Sequence, residues 1–213
     1  MININTKSYW DNRFSNGDWE SKNGRNQTME FAKSQVSLLD IPKDFSGSIL
    51  DFGCGLGDAF PIYKDVYPNA KLIGLDLSEK AIEKCRTKYG EIAEFISGDY
   101  MVVPKVDIII TSNVFEHLSN DKAISSHLKK QCDVLYIVVP YREVITQVCE
   151  HVNSYDENSF KDLNLQFYKI FITRGYSQYG FSLLIDVHLK NILRPLIGRR
   201  MVKRSKQILM KFT

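Results

Sequence analysis

Cysteine is scarce in this chain: four residues in 213, at Cys54, Cys85, Cys132 and Cys149, with no CxxC pair and no zinc-like spacing to any of the four histidines. Such usage argues against a disulfide framework and against a metal centre, so no metal is expected and the thiols are read as small core residues. Long apolar runs are missing too. No stretch approaches the roughly 18 residues of a membrane span, and the opening MININTKSYW lacks the basic start and apolar centre of a secretory signal. A soluble, cytoplasmic protein is the expectation. Repeats, low-complexity tracts and flexible linkers are also absent. A chain of this length can bury one good core.

Acidic residues nearly vanish from one end. Residues 166–213 hold 10 Lys and Arg against one acid, whereas residues 1–165 hold 18 basic and 24 acidic residues, an asymmetry concealed by the formal net charge of +3. The body is weakly acidic and its end strongly basic, with Arg194, Arg199, Arg200, Lys203, Arg204 and Lys206 crowded beside the apolar ILRPLIG. Such a cluster is a solvated face, a nucleic-acid patch or a seat for anionic lipid. Residues 189–211 contain no Tyr, Trp or Phe for base stacking. Nucleic acid therefore ranks below anionic lipid.

What is present is an alternation of strands and helices. Short apolar strands are predicted at SILDF (48–52), KLIGLDL (71–77), AEFISGD (93–99), VDIIITS (106–112) and VLYIVVP (134–140), several apolar on consecutive positions as strands buried on both faces require. Helices are predicted at about 57–67, 78–89 with Ser78 as cap, 120–130, and 156–164 with Asp156 near its start. FYKIFIT (167–173) reads as a sixth strand, GFSLLIDVHLKNILRPLIGRR as a helical insertion broken at Pro195, and KQILMKF (206–212) as a last, antiparallel strand. The sum is an α/β, Rossmann-like doubly wound sheet, mostly parallel with an antiparallel last strand. One domain is expected, with an N-terminal helical lid (1–45), a cofactor-binding core (46–165) and C-terminal strands carrying the basic insertion (166–213).

The first strand runs into ILDFGCGLGDAF (49–60), with glycines at 53, 55 and 57. A nucleoside triphosphate loop needs Lys and then Ser or Thr after its last glycine, but Gly57 precedes Asp58 and Ala59. The dinucleotide pattern GxGxxG from Gly53 puts Asp58 at its third glycine, near where a pyrophosphate would sit and be repelled. What remains is DxGxGxG, from Asp51 through Gly57. Acids around a close backbone approach favour a cationic ligand without phosphate, and S-adenosylmethionine fits. Asp76 in GLDLS ends the second strand, where it can accept ribose hydroxyls, and Asp99 in SGDY ends the third, where it can accept the adenine amino group. Three acids at strand ends lie on the edge where open α/β sheets bind ligands.

In that order, ILDFGCGLGDAF, LIGLDLSEKAIEKC, FISGDY and VDIIITSNVFEHL resemble the first four motifs of the class I S-adenosylmethionine-dependent methyltransferases, over about residues 45–165. The resemblance implies the seven-stranded methyltransferase fold, methyl transfer, and a cofactor site of Asp51, Gly53, Gly55, Gly57, Asp76, Leu77, Asp99, Tyr100 and Asn113. Relatives that methylate base nitrogens or glutamine amides carry Asn/Asp-Pro-Pro-aromatic at the fourth motif, whereas this chain has Ser112-Asn113-Val114-Phe115-Glu116-His117. Its Glu-His-Leu ending looks like the small-molecule branch, which includes quinone and sugar methyltransferases.

A hydroxyl acceptor has a high pKa and benefits from a base. His151, in CEHVNSYDENSF, and His117 are the candidates; His127 sits on an apparently exposed helix and His188 in an apolar basic segment. SYWDNRFSNGDWESKNGRNQT (8–28) resembles the lid-like entry of polysaccharide-modifying relatives. Trp19 and Arg25, in a Gly- and Asn-rich stretch that reads as loop, are assigned to substrate with Tyr141 and Arg142. The expected acceptor is a small-molecule or glycan hydroxyl, a sugar of a surface polysaccharide or its precursor, with peripheral anionic-lipid contact through the basic end. An RNA or protein methyltransferase, an idle adenosylmethionine-binding protein and, last, a nicotinamide oxidoreductase compete with it.

Overall fold

A computed structural model describes residues 3–143, 149–172, 190–198 and 206–213. Three helices come first: α1 (Lys7–Ser15), α2 (Asp18–Ser21) and α3 (Gly24–Val36). Then follow β1 (Ser48–Phe52), α4 (Phe60–Val66), β2 (Lys71–Asp76), α5 (Glu79–Tyr89), β3 (Glu94–Ser97), β4 (Val106–Ser112), α6 (Asp121–Lys130) and β5 (Cys132–Pro140). The chain closes with β6 (Leu165–Ile172), the short α7 (Lys190–Leu193) and β7 (Lys206–Phe212).

The seven strands form one sheet in the order β3-β2-β1-β4-β5-β7-β6. β1 pairs in parallel with both β2 and β4, so the chain direction across the sheet reverses at β1 and β4, and the crevice beyond their carboxyl ends is the place such sheets hold ligands. β7 pairs antiparallel with β5 on one side and β6 on the other. The sheet is thus the expected one, mostly parallel with an antiparallel last strand.

The strands sort their side chains by pleat. Ile49, Ile108, Ile110, Tyr136 and Leu209 pack on one face with Tyr63, Tyr67 and Ile82. Leu50, Ile73, Ile109, Leu135 and Phe212 pack on the other with Leu128, Tyr155 and Phe160. Both faces are dry, which explains the consecutive apolar residues in these strands. α5 shows how one helix is specified: Ser78 caps it by accepting from the Ala81 N–H at 3.1 Å, and Ala81, Ile82, Cys85 and Tyr89 are its buried face.

Departures from the sequence reading have physical causes. The helix predicted at 156–164 is a run of turns. Asp156 Oδ1 accepts from the Asn158 N–H and the Ser159 hydroxyl, and Ser159 Oγ accepts from the Asp156 N–H, so side chains capture the donors a helix would need. Phe160 then anchors the turn, stacked on Tyr155 at 5.3 Å. The stretch holding Trp19 and Arg25 is helical, in α2 and α3, not loop. Cys54, Cys85 and Cys132 are buried as expected, but Cys149 is exposed. His127 is half-buried, its ring edge-on to Tyr100 at 5.3 Å. The predicted helical insertion lies outside the described residues except for α7 and a 3₁₀ turn at Pro195–Ile197, and Arg199, Arg200, Lys203, Arg204 and His188 lie outside them entirely. Among the described residues no helix is long and apolar enough to cross a membrane.

Candidate active site

The loop after β1 turns under three left-handed glycines, Gly53 (φ 78°), Gly55 (φ 54°) and Gly57 (φ 74°). At Gly53 a Cβ would stand 2.4 Å from Val114 Cγ2, so the position demands glycine for space as well as for φ. The Gly53 N–H donates to the Leu75 carbonyl at 2.7 Å, tying the loop to β2. At the end of β2, Asp76 receives the Gly55 N–H on Oδ2 and the Ser78 N–H on Oδ1, both at 2.8 Å. Each oxygen keeps a lone pair for a ligand hydroxyl. Burial pushes the Asp76 carboxyl up to about 6 against the pull of those two donors. Burial and the neighbouring Asp76 push Asp51 up to about 7.

Asp58 turns away from this loop. Its buried carboxylate accepts from Tyr89 Oη at 2.7 Å and Lys88 Nζ at 2.8 Å, and Arg25 Nε lies 3.6 Å from it. The carboxylate that the spacing set against a pyrophosphate is therefore neutralised by α3 and α5, and Arg25 is its ion-pair partner.

α1 lies over the loop. Asp11 accepts from the Ser78 hydroxyl at 2.7 Å and the Lys80 N–H at 3.2 Å. Phe14 is buried with Leu56 and Ala81, its Cζ 3.5 Å from where a Gly55 Cβ would be. Trp10 stacks on Phe14 at 5.8 Å and meets the His117 ring edge-on at 5.2 Å, so one side chain touches both halves of the crevice. Trp19 sits edge-on to Phe14 at 5.4 Å, with the Arg13 guanidinium 5.6 Å from its ring. Its surroundings are those of a packing residue of the cover.

Across the crevice, a 3₁₀ turn, Phe115–His117, follows β4. The segment after Cys149 is laced onto it: the Glu116 carbonyl accepts from the Val152 N–H at 2.7 Å, and Asn153 Nδ2 donates to the Leu118 carbonyl at 2.6 Å. Tyr155 Oη donates to the Phe115 carbonyl at 2.9 Å. This lacing brings His117 and His151, 34 positions apart in sequence, to a ring separation of 4.9 Å. His117 Nδ1 lies 3.1 Å from the Glu150 carbonyl, and His151 Nδ1 is hydrogen-bonded to Glu143 Oε2. Burial, then the charge of His151, pulls His117 down to about 4. Burial also pulls on His151, but its bond to Glu143 and the charges of Glu116, Glu143 and Glu150 outweigh that and hold it above the ordinary value. Burial pushes Glu116 up to about 8, the charge of Glu143 adding to it and that of His151 opposing it. The Glu150 carboxylate accepts from Tyr9 Oη and Arg13, joining α1 to the His151 segment.

The remaining predicted residues are more scattered. Asp99 is exposed and caps the turn after β3, accepting from the Met101 N–H at 2.9 Å. Tyr100 packs on His127, and Leu77 is half-buried at the end of β2. Asn113 adopts φ 55° after β4 and accepts from Gln207 Nε2 at 2.6 Å. Tyr141 and Arg142 follow β5 and both donate to Glu157, at 3.0 and 2.9 Å. Sequence reasoning missed Asp11, Glu143 and Glu150 altogether, because their partners lie 67, 8 and 137 residues away.

A glycine loop, a buried acid at the end of the neighbouring strand, and this sheet order define the class I methyltransferase architecture. Residues 49–135 match the family model described as a methyltransferase domain, so this stretch of the chain is similar to the class I S-adenosylmethionine-dependent methyltransferases. A demethylmenaquinone methyltransferase of Lactococcus lactis is 43% identical over 67 residues, a match covering 29% of this chain and 27% of that one. The likeness to curated relatives is therefore confined to part of their length. Among solved structures, a chain of the complex between the Haloferax volcanii Trm112 methyltransferase activator and a methyltransferase superposes with a TM-score of 0.74 at 16% identity, covering 100% of this chain and 99% of that one. Coclaurine N-methyltransferase, bound to N-methylheliamine and S-adenosylhomocysteine, superposes with a TM-score of 0.64 at 12% identity, over 87% of this chain and 72% of that one. At such identities these structures speak for the fold.

Proposed function

We propose that this protein binds S-adenosylmethionine between the β1 and β2 ends and transfers its methyl group to a hydroxyl of a small molecule or glycan, a sugar of a surface polysaccharide or its precursor. The observation that carries the reading is the buried pair Asp51 and Asp76 around three left-handed glycines. The cradle combines close backbone approach with negative charge, which suits a cationic ligand with a ribose. Gly53, Gly55 and Gly57 would face the methionine end, Asp51 its charge, Asp76 the ribose, and Leu77, Asp99, Tyr100 and Asn113 the adenine side. The cofactor supplies a methyl carbon made electrophilic by its sulfonium. α1, with Trp10 and Phe14, serves as the lid that keeps water out.

On the acceptor side His151 is the base. Its Nδ1 is held by Glu143, which leaves Nε2 to take the hydroxyl proton, and its raised pKa lets it keep that proton. The acceptor oxygen forms its bond to the methyl carbon while the carbon–sulfur bond breaks, its electrons staying on sulfur. His117, neutral and packed on Trp10, positions the acceptor, and Tyr141 and Arg142 border it. The basic end, with 10 Lys and Arg against one acid over residues 166–213, supports peripheral contact with anionic lipid. The same charge also favours RNA as the second reading.

The test is an acceptor screen with methyl-labelled donor against cell-envelope glycan extracts, total RNA and protein. Label transferred to glycan or a small hydroxyl compound is expected. Transfer to RNA or protein alone replaces the acceptor assignment, and failure to bind the donor in isothermal titration removes the methyl-transfer reading itself.

A further inference from the structure

Glu116 takes no part in the proton transfer above, yet its side chain is only 1% exposed and its Oε2 has no hydrogen-bond partner among the described residues. Leaving a buried polar atom unsatisfied destabilises the fold, so what would satisfy this one matters. His117 and His151 stand beside it: one ligating atom from each of the three residues lies within 4.8 Å of the other two. Both imidazoles are engaged through Nδ1, one by the Glu150 carbonyl at 3.1 Å and the other by the Glu143 carboxylate. With the proton on Nδ1 in each ring, Nε2 carries the free lone pair. A histidine held on one nitrogen by a carbonyl or carboxylate is oriented to offer the other to a metal.

We infer that Glu116, His117 and His151 form a site for one divalent transition-metal ion of zinc-like preference, with a fourth position open to water or an acceptor oxygen. Two imidazoles and one carboxylate suit Zn(II) or Co(II) and not Mg(II) or Ca(II), which take shells of oxygen. Sequence spacing could not reveal such a site, because the ligands come from two segments that only the fold unites. Around zinc, ligand atoms at about 2.0–2.1 Å stand about 3.4 Å from one another, so loading draws the three side chains together by at most about 1.4 Å. Glu143, holding the far side of His151, is the positioning residue. An ion on Nε2 of His151 takes the lone pair that proton abstraction uses, so ion binding and base action are alternative states of one ring. The site does not depend on the donor assignment and fails or stands separately from it.

The experiment is titration of metal-free protein with zinc chloride by calorimetry and with cobalt chloride by visible absorption, with magnesium chloride as a third arm. One zinc or cobalt ion per chain is expected, giving the bands of low-coordinate cobalt without thiolate charge transfer, and no magnesium heat. Glu116→Gln, which keeps the size of the side chain, and His151→Gln should each abolish tight binding. Glu143→Gln should weaken it about 10–100-fold. Circular dichroism checks each variant, and His151→Gln, at a half-buried position, carries the test if Glu116→Gln does not fold. Wild type that takes up neither ion, binding unchanged in both Gln variants, or a thiolate band placing cobalt on Cys54 and Cys85 overturns the inference.

Discussion

The proposed donor and acceptor edges of the crevice are built by different rules. On the donor edge, Gly53, Gly55, Gly57 and Asp76 lie within 24 residues of one another and meet because adjacent parallel strands must bring their carboxyl ends together. On the acceptor edge, Glu116, His117, Glu143 and His151 come from a 3₁₀ turn and from chain beyond β5, joined by backbone hydrogen bonds such as Val152 N–H to the Glu116 carbonyl at 2.7 Å. The donor edge follows from topology, while the acceptor edge is assembled from contacts that no local pattern specifies. Their electrostatics differ in kind as well. The donor edge buries two acids beside each other, whereas the acceptor edge buries one acid beside two imidazoles of opposite tendency, one depressed to about 4 and one raised.

The sharpest way to separate the two edges is His151→Ala. Turnover on the acceptor should fall by about 10²–10⁴-fold with donor affinity unchanged, as steady-state kinetics and calorimetry would show. A variant that keeps near-normal turnover moves the base elsewhere or leaves proximity alone as the catalyst. On the other edge, Asp76→Ala should weaken donor binding by about 1–3 kcal/mol, the loss of charge-assisted hydrogen bonds to the ribose, with no such effect from His151→Ala. Equal donor affinity in Asp76→Ala and wild type would remove Asp76 from the site.

A smaller effect concerns pH. Asp76 at about 6, Asp51 at about 7 and Glu116 at about 8 are all raised in the folded protein relative to exposed carboxyls. These three acids outweigh His117, which sheds a proton on folding between about pH 4 and 6.5, so the folded state holds more protons than the unfolded one between about pH 4 and 8 and its stability should fall as pH rises through that window. Denaturant unfolding of the ligand-free protein at pH 5 to 8 measures the slope. Glu116→Gln should flatten its upper part, from about pH 7 to 8, and Asp51→Asn its middle. A profile that rises with pH over this window would contradict the burial of these acids. Donor binding should run the opposite way, tightening as Asp51 and Asp76 ionise.

The same contrast governs what could be read from residues alone. Strands β1, β4 and β7 fall where the apolar runs put them, because a strand buried on both faces leaves a mark in consecutive residues. Ser78 was legible as a cap because capping is local. The helix expected at 156–164 was lost to the Asp156 and Ser159 side chains, whose competition for backbone donors is decided by the docking of Phe160. The Gly and Asn neighbours of Trp19 and Arg25 make that stretch read as a loop. Packing of Trp19 against Phe14 and pairing of Arg25 with Asp58 hold that stretch helical instead.

Strand and helix order, the glycine loop and the acid at the end of β2 can be read from the residues alone, since each depends on backbone sterics, periodicity or the parallel pairing of neighbours. That Asp58 turns to Lys88 and Tyr89, that Trp10 bridges Phe14 and His117, and that Glu143 holds His151 beside Glu116 emerges from the folded packing. Those pairings join residues across unrelated stretches of chain, and their protonation is set by burial and by neighbours that exist only once the sheet, its cover and the segment after β5 have closed on one another.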